Sequence, residues 1–142
     1  MPVRARGIDL DTFNVASATI AASVNLTGTS SGAATTAITT GPFTVDNPGT
    51  FLVTVFTPSL TRGTTNLDLE LWDGATLLTT LMAHATAAVP IIPVTMRALV
   101  TLAAGGHNLS VKGFVDAGTG VFGAGAGTTG NPPNAFITVQ PV

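Results

Sequence analysis

Hydrophobic and polar residues alternate along most of the chain after residue 35, in runs short enough to be strands. In "NLDLELW", Leu67, Leu69 and Leu71 fall on one face and polar residues fall on the other. "VTMRALVTL" repeats the pattern, and its inward set is Val94, Met96, Ala98, Val100 and Leu102. Turn sequences such as "DNPG" separate these runs. The pattern predicts about seven or eight strands and an all-β sandwich or barrel.

The pattern alone does not decide the local structure of two segments. "TTLMAHATAA", residues 79–88, has the composition of a short helix, but its threonines and the following "VPIIP" favour a strand and a loop at least as strongly. "TLAAGGHNLSVKGF", from Thr101 to Phe114, has hydrophobic alternation on both sides of a turn that contains two glycines and a histidine. We interpret that turn as a hinge between two late strands, in which Gly105 and Gly106 supply positive φ angles.

The first part of the chain differs from the rest. No Asp, Glu, Lys or Arg occurs from Thr12 to Val45, and small, turn-forming residues dominate part of this stretch. Ile20, Val24 and Leu26 lie on one face of an alternating segment that can pair as a strand. The pattern predicts an extended N-terminal arm over residues 1–34, which binds a partner through these three side chains, and one sandwich domain over residues 35–142. The alternative is an unstructured terminus.

Composition makes contact with other protein molecules part of the expected function. Hydrophobic residues make up 45% of the chain and charged residues 8%, whereas about a quarter of the residues are charged in a typical soluble protein. A monomer of this composition exposes apolar patches, so burial against copies or partners is favoured.

Charge, cysteine content and the length of hydrophobic runs exclude other classes of protein. A formal net charge of −2 gives no basic field for nucleic acid. The absence of cysteine removes disulfides, thiolate zinc sites and cysteine nucleophiles. Asp9 and Asp11 interrupt the N-terminus where a signal peptide needs an apolar run, and no segment reaches the roughly 18 apolar residues of a membrane helix. We therefore expect neither nucleic acid nor a membrane as a partner.

Few residues suggest chemistry. "GTGVFG", from Gly118 to Gly123, matches the dinucleotide-binding fingerprint, but a strand rather than a helix is predicted after it. A metal site at His84 and His107 requires both to converge with carboxylates, so two partly exposed or hydrogen-bonded imidazoles are the favoured interpretation. No nucleophile signature such as G-x-S-x-G occurs. We predict no catalytic, cofactor or metal site, and no enzymatic activity.

The outward face of the "NLDLELW" strand carries two further candidates. Asp68 and Glu70, with Asp73 nearby, have a spacing that a divalent cation can bridge, although a solvated face or pairing with basic side chains is the favoured interpretation. Trp72 lies on the same polar face. We predict that the arm or a neighbouring subunit covers Trp72, which makes it a fourth partner-binding residue; the alternative is an exposed ring for ligand stacking.

Three segments carry a resemblance to known proteins. They are "NPGTF" at residues 47–51, "LAAGGHNLSV" at residues 102–111, and the terminal strand from Phe136 to Val139. In this order the chain from roughly residue 36 to residue 142 resembles the jelly-roll modules of the tumour necrosis factor and complement globular-head type. It departs from them in having Thr50 before Phe51 and no tyrosine, so no receptor-binding or calcium-binding residues are carried over. The resemblance implies a single jelly-roll β-sandwich that forms a homotrimer through apolar strand faces.

An arm of small residues before a jelly roll, without cysteine or a catalytic set, also resembles bacteriophage capsid decoration, or cement, proteins. That resemblance implies a structural protein on the outer capsid surface of the virion, whose trimers contact the major capsid protein. The arms then reach neighbouring decoration trimers, and many weak contacts together stabilise the shell. The alternative function is a phage tail-tip or head-fibre module that recognises a host-surface ligand through loops 57–66 and 117–134.

Overall fold

The structure of the protein is a computed structural model that describes residues 4–5, 8–9, 14–61, 66–84, 92–125 and 133–142. Only the backbone is described at residues 4–5 and 8–9, at His84 and at Ile92. The described residues form a single turn of 3-10 helix at Ser31–Ala33 and the strands β1 (Arg4–Ala5), β2 (Ile8–Asp9), β3 (Ala16–Ile20), β4 (Ala22–Leu26), β5 (Thr35–Thr39), β6 (Phe43–Val45), β7 (Gly49–Thr61), β8 (Leu67–Asp73), β9 (Thr76–His84), β10 (Ile92–Leu102), β11 (Gly105–His107), β12 (Leu109–Val115), β13 (Gly120–Gly125) and β14 (Ala135–Pro141).

The longer strands form two antiparallel sheets. In the first sheet, β7 lies between β10 and β14, and β3 follows β14; Thr54 of β7 pairs with Arg97 on one side and Thr138 on the other. β13 pairs with the end of β7 on the same side as β14, and β4 pairs with β13. The second sheet has the order β5-β12-β8-β9. β6 and β11 form a separate two-stranded ribbon.

The strands pair as nested antiparallel partners. β3 pairs with β14, β5 with β12, β7 with β10, and β8 with β9. The first and last of these strands, β3 and β14, are neighbours, and so are the two middle strands, β8 and β9. In the order given, the four pairs belong alternately to the first and the second sheet. This pairing rolls the chain into two facing sheets, which is the jelly-roll arrangement. The predicted all-β jelly-roll sandwich is therefore confirmed.

The core lies between the two sheets and contains the residues that the alternation predicts. Leu67, Leu69 and Leu71 of β8 have no exposed surface. They belong to one buried cluster with the inward residues of β7 and β14. The predicted inward set of β10 lies on the same side, with Met96, Val100 and Leu102 buried and Val94 and Ala98 half-buried.

The segment at residues 79–88 is a strand as far as His84. The pairing of β9 with β8 shifts register twice, at Leu78 and Leu81, so these residues have no direct partner on β8. Such bulges change which side chains face inward. They allow Leu78, Leu81 and Met82 to pack together against the core. Residues 85–91 lie outside the described residues.

Two strands of the first sheet lie in the region that the sequence pattern assigned to an arm. β3 pairs with β14 over its whole length, and β4 pairs with β13. Both strands bury apolar side chains and pair along one side with a strand of the same chain, so neither needs a partner molecule to form. The sandwich thus includes residues 16–26, and its boundary differs from the one predicted between residues 34 and 35. No helix within the described ranges is long and apolar enough to span a membrane.

Candidate interaction surface

The outward face of the first sheet is built mainly of apolar and hydroxyl side chains. We call it the first-sheet face and define it by three cross-strand rows. These are Leu99-Leu52-Gln140, Arg97-Thr54-Thr138-Ser17 and Thr95-Phe56-Phe136-Thr19. Arg97 is the only charged residue among these positions. Covering such a face removes hydration from few charged groups, so the desolvation cost of burying it is low.

Several apolar side chains of the first-sheet face remain accessible. Leu99 is 65% exposed. The half-buried rings of Phe56 and Phe136 stack on each other, with their centroids 5.4 Å apart. Beside Phe136 lies an open groove of about 430 Å³, whose lining includes the polar side chains of Asn14, Ser17, Thr19 and Thr138. The face therefore combines exposed apolar side chains with an open groove that polar and apolar residues line together.

The structure places three of the predicted partner-binding residues against the chain's own core. Leu26 has no exposed surface, and Ile20 and Val24 are half-buried and pack on the buried cluster. Their alternation reflects burial inside the sandwich, so in this conformation they do not extend towards a partner. The sequence reasoning missed the first-sheet face. The run "TFLVTVFT" could have indicated it, because a strand with apolar residues on both faces is typically covered on both.

Trp72, the fourth predicted residue, lies on the outward face of the second sheet. Its indole Nε1 donates a hydrogen bond to Glu70 Oε2 at 3.0 Å, and the Lys112 Nζ lies 4.4 Å from the ring centroid. Ser31, from the segment between β4 and β5, donates a second hydrogen bond to the same Glu70 oxygen at 2.9 Å. The ring is half-buried. Residues of the predicted arm therefore do reach this cluster, through Ser31 and within the same molecule.

His107 and Asp73, the last residues of β11 and β8, are hydrogen-bonded to each other, and the contact is an ion pair when the imidazole is protonated. His107 Nδ1 lies 2.6 Å from Asp73 Oδ2, and His107 Nε2 lies 2.9 Å from the Ala103 carbonyl oxygen. The hydrogen bond to Asp73 raises the pKa of His107 against the opposing effect of burial. Burial also disfavours the Asp73 charge, but hydrogen bonds from the Asn108 backbone N–H and from His107 together lower the Asp73 pKa.

The carboxylates of β8 have different partners and do not form one cluster. Asp73 is paired with His107, and Glu70 accepts the two hydrogen bonds from Ser31 and Trp72. Burial, and then the neighbouring charges of Asp116 and Glu70, raise the pKa of Asp68. Within the described ranges, no three His, Asp or Glu side chains gather closely enough to hold a metal ion.

Two of the three "GTGVFG" glycines, Gly120 and Gly123, lie in tightly packed parts of the sandwich. Gly120 to Gly125 form strand β13, whereas the dinucleotide fingerprint places its last glycines at the turn into a helix. A Cβ at Gly123 would overlap Ser59 Oγ and lie 2.5 Å from the Ser59 carbonyl oxygen. The buried Thr57 hydroxyl donates to the Gly123 carbonyl at 2.8 Å in the same place. Gly123 therefore allows β13 to approach β7 closely.

The turn around His107 is more structured than a simple hinge. Gly105 has a φ of 130°, as the sequence predicts, whereas Gly106 carries no positive φ. Both glycines belong to β11, which pairs with β6. Both His107 nitrogens are engaged with oxygen atoms, so neither is free to act as a base. His107 is the one histidine whose side chain is described, since that of His84 lies outside the described residues.

No family model and no curated protein matches the sequence. Similar solved structures include the globular domain of zebrafish complement 1qA protein, at 19% identity and a TM-score of 0.42 over 72% of this chain and 70% of that one. A carbohydrate-binding module of Cellvibrio mixtus lichenase 5A, in complex with cellotriose, has 18% identity and a TM-score of 0.44 over 92% and 95%. The structure of the infectious bursal disease virus Gx strain has 15% sequence identity and a TM-score of 0.36, and the match covers 99% of this chain and 42% of that one. The jelly-roll assignment rests on the nested strand pairs described above.

Proposed function

We propose that the protein is a non-catalytic structural jelly roll that forms homotrimers through the first-sheet face and decorates the outer surface of a bacteriophage capsid. The observation that carries this proposal is the near absence of charge on a face with exposed apolar side chains, Leu99 above all. Neighbouring copies of the chain are the proposed occupants, because every copy presents the same uncharged chemistry. In a ring of three, one part of this face contacts a different part of the next copy, since pairing of identical patches would give a dimer. Closed cyclic symmetry gives an assembly with a fixed number of copies. We take that number as three from the resemblance to trimeric jelly-roll modules.

Attachment to the shell is assigned to the residues that precede β3 in the sequence. Residues 16–26 are strands of the first sheet, so the proposed tether shortens from residues 1–34 to residues 1–13. In this proposal the tether contacts the major capsid protein and neighbouring decoration trimers. Repetition over the shell then raises the total affinity far above that of one contact.

Removing residues 1–13 is expected to abolish attachment to shells that lack the protein, while the trimer remains intact. This truncation leaves every strand from β3 to β14 in place, whereas removal of residues 1–34 would also delete β3 and β4. The measurement is co-sedimentation of the purified protein with the shells, alongside its mass in solution. The matched control carries a Gly-Ser linker of equal length at residues 1–13. Equal binding of truncated and full-length protein would contradict the tether.

A second candidate function is recognition of a host-surface ligand by a tail-tip or head-fibre module. The groove beside Phe136 favours it, because an aromatic ring among hydroxyl and amide groups suits a sugar. Parts of the loops that the sequence suggested for this role, residues 62–65 and 126–132, lie outside the described residues. Phe136 cannot contact both a sugar and a second copy of the chain. Binding of glycans by the trimer without residues 1–13, with no attachment of either form to shells, would favour this second function.

A further inference from the structure

The His107 side chain contacts the end of β8 beside the point where the β6–β11 ribbon continues into β12. Gly105 to His107 pair with Phe43 to Val45, and His107 is the last residue of β11. The His107 ring contacts Asp73, the last residue of β8, and lies 5.9 Å from the Phe43 ring between centroids. His107 thus touches both strands of the ribbon and the second sheet.

Both ring nitrogens of His107 face oxygen atoms. A carbonyl oxygen and an ionised carboxylate accept hydrogen bonds and do not donate them, so each of the two contacts requires a proton on the nitrogen. A neutral imidazole carries one such proton and an imidazolium carries two. The contacts with Asp73 and with the Ala103 carbonyl oxygen are therefore satisfied together only when the ring is charged.

We propose that His107 is a pH-sensitive latch: its charged ring ties the β6–β11 ribbon both to the end of β8 and to the Ala103 carbonyl oxygen, and its neutral ring releases one of these two contacts and so loosens the ribbon. The neutral ring loses one of its two donors, so it cannot hold Asp73 and Ala103 at the same time. The Asn108 backbone N–H still donates to Asp73 Oδ1 at 3.0 Å, so the ribbon loosens without detaching β12.

Among the described residues, one ionised side chain contacts the latch. Asp73 is the carboxylate that contacts His107, and the neighbouring stretches 35–45, 74–76 and 98–111 contain no other titratable group. Asp46 follows Val45, which pairs with Gly105 at the end of the ribbon away from His107. Arg97 lies on the first-sheet face, one residue before the stretch 98–111.

The direction of the pH dependence follows from the two pKa shifts. The pKa of His107 is raised in the folded protein, so the latch is fully closed below the ordinary histidine value of about 6.5 and opens as the pH rises through the raised value. The pKa of Asp73 is lowered, so its contribution is present above the ordinary value and is lost only as the pH falls through the lowered one. The latch is therefore closed over a range of pH whose lower limit is set by protonation of Asp73 and whose upper limit is set by deprotonation of His107.

NMR of the imidazole nitrogens in the full chain tests the latch without any substitution. We expect both His107 nitrogens to carry protons at pH 6 and the ring to titrate above about 6.5. Above that titration, amide hydrogen exchange at Gly105 to His107, corrected for its intrinsic pH dependence, should become about fivefold faster, which corresponds to the loss of one hydrogen bond. Comparison with H107Q assigns the signal, because His84 is the only other histidine.

D73N serves as the variant and D46N as its matched control, since both remove one negative charge and only Asp73 contacts the ring. D73N should bring the His107 titration down towards the ordinary value and make the ribbon exchange insensitive to pH. D46N should change neither. A His107 titration at or below the ordinary value in the unmodified protein, or corrected exchange that does not change with pH, would overturn the proposal even if D73N failed to fold.

Discussion

Gly123→Ala should destabilise the protein by about 3 kcal/mol or more, because the new methyl group would overlap Ser59 where β13 lies beside β7. The clash involves the Ser59 backbone carbonyl as well as its hydroxyl, so a rotamer change alone cannot relieve it. The buried Thr57 hydroxyl lies in the same place, and its single proton faces the Ser59 and Gly123 carbonyl oxygens, 2.9 and 2.8 Å from the hydroxyl oxygen. Chemical denaturation of the purified protein measures the loss.

Gly32→Ala is the matched control for this substitution. A Cβ at Gly32 meets nothing within 4 Å, and the residue has no positive φ. We expect its free energy of unfolding to change by less than about 0.5 kcal/mol. If Gly123→Ala and Gly32→Ala unfolded at the same denaturant concentration, the close approach of β13 to β7 would be wrong.

Leu99→Glu should convert the trimer to monomers. Leu99 is 65% exposed in the single chain, so glutamate there can remain hydrated in a folded monomer. In the proposed trimer the same position is covered, and an unpaired buried charge costs about 3–5 kcal/mol. That penalty weakens association by roughly 100- to 1,000-fold or more. Analytical ultracentrifugation over a range of protein concentrations measures the change.

Leu77→Glu is the control for the interface. Leu77 is 43% exposed and belongs to β9, in the second sheet rather than the first. The substitution is the same in chemistry and similar in exposure, so it should leave the trimer intact. Dissociation by Leu77→Glu, with no effect of Leu99→Glu, would assign the interface to the other sheet.

The strands of the sandwich could be predicted because one buried face imposes alternation on the sequence. Leu67, Leu69 and Leu71 were placed inside by that pattern alone, and they are fully buried. The same pattern in β3 and β4 was attributed to a partner molecule. Alternation shows that a strand is covered on one side, but it does not show whether the covering residues belong to the same chain. β3 pairs with β14, at the far end of the sequence, and no local signal records that contact.

The polar clusters could not be predicted for the same reason. Asp73 and His107 are separated by 34 positions in sequence, and they meet because β8 and β12 pair with Leu109 opposite Asp73. Each residue was noted as a candidate, in an acidic group and in a turn. Only the register of the two strands brings them together. Ser31 and Glu70 meet in a similar way, through a connection between the two sheets.

The mass of the unmodified protein in dilute solution tests self-association most directly. Light scattering coupled to size-exclusion chromatography should give three times the chain mass of 14.2 kDa, with the trimer persisting on dilution to micromolar concentration. A single species at 14.2 kDa across that range would contradict the account, because the first-sheet face would then remain exposed to water without a second copy to cover it.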